Sequence, residues 1–306
     1  MRNALERVAP VRPSSAGAIL GRMEPSSRAE PSSRAGPSGL DPVDAAVGPS
    51  DLPGPAHPLV TFLGHSTVFI DMDGTQLLTD PLLHGRVGPL QRQRAAPDPR
   101  LVAGVDAVLI SHLHLDHLDF RSLDLLGREK RILVPDGSER LMEKHGFRNI
   151  RPLAPGESES IGALTVTATP AIHSGYRPPF GPRAIPVGFV VSGTRRIYFA
   201  GDTGIFRGME ALAEPHLDLA LLPVWGWGPM LSQGHLHPAA AAKALQYLRP
   251  TAAVPIHWGT LWPVAPALFF PGRFHDPPHE FREHAAHVAP DVRILVTLPG
   301  EAVAFP

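Results

Sequence analysis

The chain has 306 residues, with 28 Lys and Arg balanced by 29 Asp and Glu, and contains no cysteine. Near-neutral charge without a long basic stripe disfavours a nucleic-acid partner, and the missing thiols exclude disulfides and thiolate metal ligands. No apolar run approaches a membrane-spanning length, and Arg2 and Arg7 precede no continuous apolar stretch, so no transmembrane segment or secretory signal is expected and the cytoplasm is the default location.

Residues 1–56 scatter prolines among Ser, Ala, Gly and Arg. They include the near-duplicate Pro25-Ser26-Ser27-Arg28-Ala29-Glu30 and Pro31-Ser32-Ser33-Arg34-Ala35-Gly36. Such a segment buries too little apolar surface to offset its ordering entropy, so a disordered tail is expected, followed by one folded domain over 57–306. Within that domain Val60–Leu63, Thr67–Met72 and Gln76–Thr79 read as strands, the last two joined through the hairpin signal Asp73-Gly74. The short basic spots Arg92-Gln93-Arg94 and 128–131 read as solvated surface.

Strands are expected at 105–110, 132–134 and 164–169, with helices near 118–126 and 138–145, the second stopped by Gly146. A hairpin through Gly193-Thr194 joins Gly188–Ser192 to Arg196–Ala200, and Leu217–Pro223 is a further buried strand. Pro238–Leu248 is a helix closed by Pro250, and Val292–Thr297 with Ala302–Phe305 reads as a final hairpin around Pro299-Gly300. Strands in runs with isolated helices imply an α/β protein whose two mixed sheets pack face to face with helices outside.

The chemistry concentrates in His112-Leu113-His114-Leu115-Asp116-His117, directly after the 105–110 strand. Three imidazoles and a carboxylate in six residues suit a divalent metal, zinc above all, with manganese or iron also accommodated. Three more residues follow strands in the same way: His173 after 164–169, Asp202 after Arg196–Phe199, and His257 after Ala252–Val254. Strand ends are where loops collect functional groups.

In this order the motifs resemble the metallo-β-lactamase superfamily, whose signature is H-x-H-x-D-H followed by a distant His, Asp and His. Gly64-His65-Ser66-Thr67, Thr79-Asp80-Pro81, the segment around His173, and Ile256-His257-Trp258-Gly259-Thr260 are similar to one branch of it. That branch contains N-acyl-phosphatidylethanolamine phospholipase D and the bacterial ascorbate-6-phosphate lactonase, and the likeness runs over about residues 58 to 262. The resemblance implies an αββα sandwich and two divalent ions. His112, His114 and His173 would hold one ion, Asp116, His117 and His257 the other, and Asp202 would bridge them. It also implies a hydrolase of a phosphodiester, including lipid-derived ones, or of a lactone or ester, with a hydroxide between the ions as nucleophile. A nuclease or a non-catalytic metal-binding scaffold is the alternative.

Gly234-His235-Leu236-His237-Pro238 departs from that branch at His237, which replaces a small polar residue and is expected to be structural, a weaker helix cap than Asn or Asp. His235 matches an additional active-site histidine and is the candidate proton donor to the leaving group; Asp116 and His235 are thus the candidate catalytic residues. His65 and Asp80 are expected at or behind the site, Asp80 as an orienter of a ligating imidazole. Trp225 and Trp227 are candidates for a pocket wall, as core plugs would equally be, and Trp262 with Leu268, Phe269 and Phe270 reads as core. A small-molecule or lipid-like ester is the expected partner, and a homo-oligomer is left open.

Overall fold

The structure is a computed structural model that describes residues 58–226, 234–263 and 272–304; the expected tail over 1–56, Trp227, and Leu268, Phe269 and Phe270 lie outside the described residues. In chain order the strands and helices are β1 (Leu59–Gly64), β2 (Thr67–Met72), β3 (Thr75–Thr79), β4 (Arg86–Val87), β5 (Leu90–Arg92), β6 (Ala107–Leu109), α1 (Phe120–Leu126), β7 (Arg131–Pro135), α2 (Glu139–Lys144), β8 (Ile150–Leu153), β9 (Ser158–Ile161), β10 (Leu164–Pro170) and β11 (Val187–Ser192). They continue with β12 (Arg196–Phe199), β13 (Leu219–Pro223), α3 (Pro238–Leu248), β14 (Ala252–Ile256), β15 (Leu261–Pro263), α4 (Gly272–His275), α5 (Pro277–Val288), β16 (Arg293–Ile294) and β17 (Ala302–Ala304).

Among the described residues two seven-stranded sheets form, in the orders β17-β1-β2-β3-β6-β7-β8 and β16-β14-β13-β12-β11-β10-β9, with a small third sheet β15-β5-β4. Each large sheet is mixed. Pairing turns parallel from β3 to β6 in the first and from β12 to β13 in the second.

The alternation of side chains explains the layering. Leu77, Leu109 and Leu133 enter the inner core with Val166, Phe189 and Phe199 of the facing sheet. Their neighbours Leu78, Val108, Ile132 and Val134 point outward onto Leu123, Leu126 and Met142 of α1 and α2. Strands covered on both faces read as continuous apolar runs rather than alternating ones. On the far side of the second sheet, Ala241, Leu245 and Leu248 of α3 pack with Phe281 and Ala285 of α5. The αββα sandwich expected from the motifs is the fold observed.

Two expectations are corrected. The C-terminal segments do not form a hairpin: β16 runs parallel to β14 in the second sheet, and β17 runs antiparallel to β1 in the first. Pro299-Gly300 still turns the chain, with Gly300 at φ +99, but the bonds Gly300 N to Phe62 O at 2.6 Å and Phe62 N to Glu301 O at 3.2 Å draw the outgoing strand onto β1. Arg92 is also not solvated surface. It is only 6% exposed, because it points inward onto the carbonyls of Leu63 and Leu82.

Candidate metal centre

The ligand-type residues follow the C-terminal ends of β3, β6, β10, β12 and β14. Past β6 the backbone bonds once more to β7 and β11, at Ile110 N to Leu133 O and Val187 N to Ser111 O, both 2.9 Å, and then folds into a compact turn closed by His117 N to His114 O at 3.1 Å and Leu118 N to His114 O at 2.8 Å. Asp119 then caps α1 by accepting from Ser122 N at 2.8 Å. The same carboxylate meets His84 Nε2 at 2.6 Å, a pairing that sequence spacing did not signal. Arg177 reaches back over this turn and donates to Leu113 O at 2.7 Å and Leu118 O at 3.0 Å.

Two groups of donor atoms result. His112 Nε2 and His173 Nε2 each lie 3.0 Å from His114 Nδ1. His117 Nε2 lies 3.2 Å from His257 Nε2, and both belong to a cluster completed by Asp116 and His65. Asp202 stands between the groups. Its Oδ2 is 3.4 Å from His117 Nε2 and 3.9 Å from His173 Nε2, while Oδ1 is 3.2 Å from His257 Nε2. The structure thus brings together every residue of both expected ligand sets.

The outer nitrogen of most of these imidazoles is already committed. His117 Nδ1 donates to Asp80 Oδ2 at 2.7 Å, His257 Nδ1 to Trp225 O at 2.8 Å, and His173 Nδ1 to Gly234 O at 2.8 Å. His112 Nδ1 lies 3.0 Å from Ser111 Oγ, which itself donates to Asp80 Oδ2 at 2.6 Å. Such bonds fix the tautomer that leaves Nε2 as a lone pair facing inward. Trp225 therefore serves the site through its backbone carbonyl, while its indole is buried.

The donor set fits divalent metal. Imidazole nitrogens about 3 Å apart repel unless something positive lies between them, and two ligands at zinc distances on a tetrahedral centre sit roughly 3.3 Å apart. Asp202 Oδ1 is buried and has no aligned hydrogen-bond donor, an orphaned acceptor aimed at the same space. Electrostatics agree. Burial, with the neighbouring His117 and His173, pushes His112 well below the usual imidazole range, and burial brings His173 down to about 4. Burial opposes charge on Asp202 and Asp116 too, yet the surrounding imidazoles hold both carboxyls well below their ordinary range. These are the ligand forms a divalent ion requires; at His117, where burial opposes charge but Asp202, Asp116 and Asp80 raise the imidazole well above its ordinary range, an ion would have to displace the proton.

His65 belongs to the centre more directly than its sequence context indicated. Its Nε2 is 2.9 Å from Asp116 Oδ2, and its ring centroid lies 3.9 Å from that of His257. His65, Asp80 and His257 all have left-handed backbone, at φ 56, 33 and 63. For non-glycine residues this is uncommon and persists only where the surroundings impose it. His235 brings Nε2 to 3.3 Å from Asp202 Oδ2 from a partly open position. His237 is exposed, sits at the N-terminus of α3 and makes no side-chain capping bond.

Residues 75–258 match the family model described as "Beta-lactamase superfamily domain". A "UPF0173 metal-dependent hydrolase" of Methanopyrus kandleri is 31% identical over 249 residues, spanning 79% of this chain and 98% of the relative. One from Thermus thermophilus is 34% identical over 212 residues, spanning 67% of this chain and 85% of the relative. Among solved structures the chain is similar to Igni18, a metallo hydrolase from the hyperthermophilic archaeon Ignicoccus hospitalis, with TM-score 0.64, 25% identity, and coverage of 81% of this chain and 98% of that one. The chain belongs to the UPF0173 metal-dependent hydrolases of the metallo-β-lactamase superfamily.

Proposed function

We propose that the protein is a binuclear hydrolase acting on a phosphodiester, including lipid-derived ones, or on a lactone or similar ester. The observation that carries this reading is the convergence of two donor groups on Asp202, each imidazole presenting an inward nitrogen. His112, His114 and His173 would hold one ion, Asp116, His117 and His257 the other, with Asp202 shared. When bound, the ions supply Lewis acidity and bring a coordinated water's pKa toward neutrality. Zinc suits the donors best, and manganese or iron is compatible with them.

The protein's own groups supply the rest. Asp80 and the carbonyls of Trp225 and Gly234 hold the imidazoles in register, and His65 steadies Asp116. Burial works against charge on His235, but its contact with Asp202 more than offsets this and raises its pKa. A protonated imidazole at the open side of the centre is placed to deliver that proton to a leaving alkoxide. The likeness of the motifs to the phospholipase D and lactonase branch supports the choice of bond.

Metal analysis together with turnover of bis(p-nitrophenyl) phosphate and a panel of lactones and esters, with and without chelator, tests the proposal. Close to two ions per chain and chelator-sensitive turnover of one class are expected. Fewer than half an ion per chain after reconstitution with zinc, manganese and iron overturns it.

A further inference from the structure

Arg92 is an arginine buried without a carboxylate partner among the described residues. Its Nη2 donates to Leu63 O, its Nη1 to Leu82 O at 3.0 Å, and its Nε to Ala95 O at 3.2 Å. Burial lowers its pKa to about 10, which still leaves it charged at neutral pH. A cation neutralised only by peptide carbonyls is harder to bury than an apolar side chain of similar size. What it provides in return is a rigid planar fork of donors that can tie several backbone segments in one fixed geometry.

The segments it ties are those that carry the centre. Leu63 O lies directly before Gly64-His65, and Leu82 is two residues past Asp80. The third turn is reached through the strand pairing of Arg92 with Leu261 and the bond from Gln93 N to Thr260 O at 2.9 Å. Thr260 Oγ1 in turn accepts from His65 N at 2.8 Å, and His257 N donates to His65 O at 2.7 Å. The guanidinium therefore sits where the turns bearing all three left-handed residues, His65, Asp80 and His257, come together. Gly64 makes the approach possible, because a Cβ at that position would lie 2.6 Å from Arg92 Nη2.

We propose that Arg92 is a positioning residue for the metal centre, fixing the His65 and Asp80 turns so that Asp116 and His117 are held for the ion they share with His257. The inference rests on the binuclear reading and extends it to a residue about whose contacts with the ligands nothing direct is required. His114 and His173 are carried by segments that Arg92 does not touch, and His112 is reached only at one remove, through Asp80 and Ser111, so the larger effect falls on one ion.

Arg92→Met and Arg92→Lys in the full chain test it, each titrated with Zn2+ against a competing chelator alongside the wild type. His114→Ala and His117→Ala serve as references that each weaken one site, and melting temperature of the metal-free proteins is measured in parallel. Arg92→Met is expected to lose about 10–100-fold in affinity at the site that His117→Ala weakens, with a clearly smaller loss at the other site. On any turned-over substrate kcat should fall with KM little changed. Arg92→Lys, which keeps the charge but lacks the planar fork, should show the same selective loss, and it carries the comparison if Arg92→Met does not fold. Wild-type affinity at both sites overturns the inference, as does an equal loss at both that tracks a lower metal-free melting temperature. A wild-type chain that binds only one ion overturns the binuclear reading and this inference with it.

Discussion

Asp80→Asn isolates the orientation of one imidazole from the fold around it. Asp80 is fully buried, with Oδ1 accepting from Ser111 N at 2.7 Å and Oδ2 accepting from Ser111 Oγ at 2.6 Å and His117 Nδ1 at 2.7 Å. An asparagine of the same shape has one acceptor. The peptide N–H of Ser111 cannot turn away, so the amide oxygen stays with it and the NH2 group faces His117. The imidazole must then accept at Nδ1 and carry its proton on Nε2, the atom aimed at His257 and Asp202. Loss of an orienting partner of this kind weakens metal binding about 10–100-fold, or roughly 1.4–2.7 kcal/mol. Asp80→Ala is the contrasting perturbation. It leaves three buried donors without an acceptor at about 1–3 kcal/mol each, so it should lower the melting temperature of the metal-free protein as well. Chelator-competition titration, thermal melts and imidazole 15N shifts separate the two variants. The reasoning is refuted if Asp80→Asn binds both ions as the wild type does, with His117 still protonated on Nδ1.

Asp202→Ala should weaken both ions and reduce turnover more than His173→Ala, which takes one ligand from a single site; equal metal loss in the two variants would contradict the shared role of Asp202. His235→Ala should keep both metals and much of its activity on p-nitrophenyl substrates, but lose on the order of 10²–10⁴-fold on alkyl esters that need a protonated leaving group. A leaving-group series with uniform losses would exclude proton donation, and lost metal would make His235 a ligand. The metal-free protein should become less stable as pH falls from 6.5 toward about 4, since burial holds His173 at about 4 and His65 at about 3 while the same residues in the unfolded chain take up protons near 6.5. His117 and His235, both raised, oppose the trend near its upper end, where the unfolded imidazoles are still taking up protons, and Asp80, raised by burial, opposes it near its lower end. Melting curves that are flat or rise with acidification would refute the sign. Deleting residues 1–55 should leave melting temperature and turnover nearly unchanged, and a drop of many degrees would show that the segment is docked.

The candidate ligand residues were legible because each follows an apolar strand and each is a rare type in a recurrent spacing. His112 to His117 carry that signal within six residues, and His173, Asp202 and His257 repeat it singly. The paired layers were legible for the same reason, since Leu77-Leu78 and Ala107-Val108-Leu109 are apolar on both faces. What stayed hidden depends on distant contacts. Arg92 looks like any short basic spot until the carbonyls of Leu63, Leu82 and Ala95 surround it. The helix Pro277–Val288 escaped notice because only Phe281 and Ala285, beyond its two leading prolines, are buried on a face otherwise written in His, Glu and Arg. The C-terminal strands were misjudged because local turn chemistry at Pro299-Gly300 says nothing about which sheet each flank will join.

The separation of β16 and β17 onto different sheets has a consequence for how the molecule is made. β17 is the outer neighbour of β1, and β16 the outer neighbour of β14, so one late stretch of chain shields an edge of each sheet. Until that stretch has been synthesised, β1 and β14 present unpaired backbone to the surroundings, the kind of surface that recruits strands from other molecules. The sandwich is therefore open on one flank until residues 293–304 have been made, and a single proteolytic cut between Ile294 and Ala302 would let the β17 side come away and reopen the β1 edge.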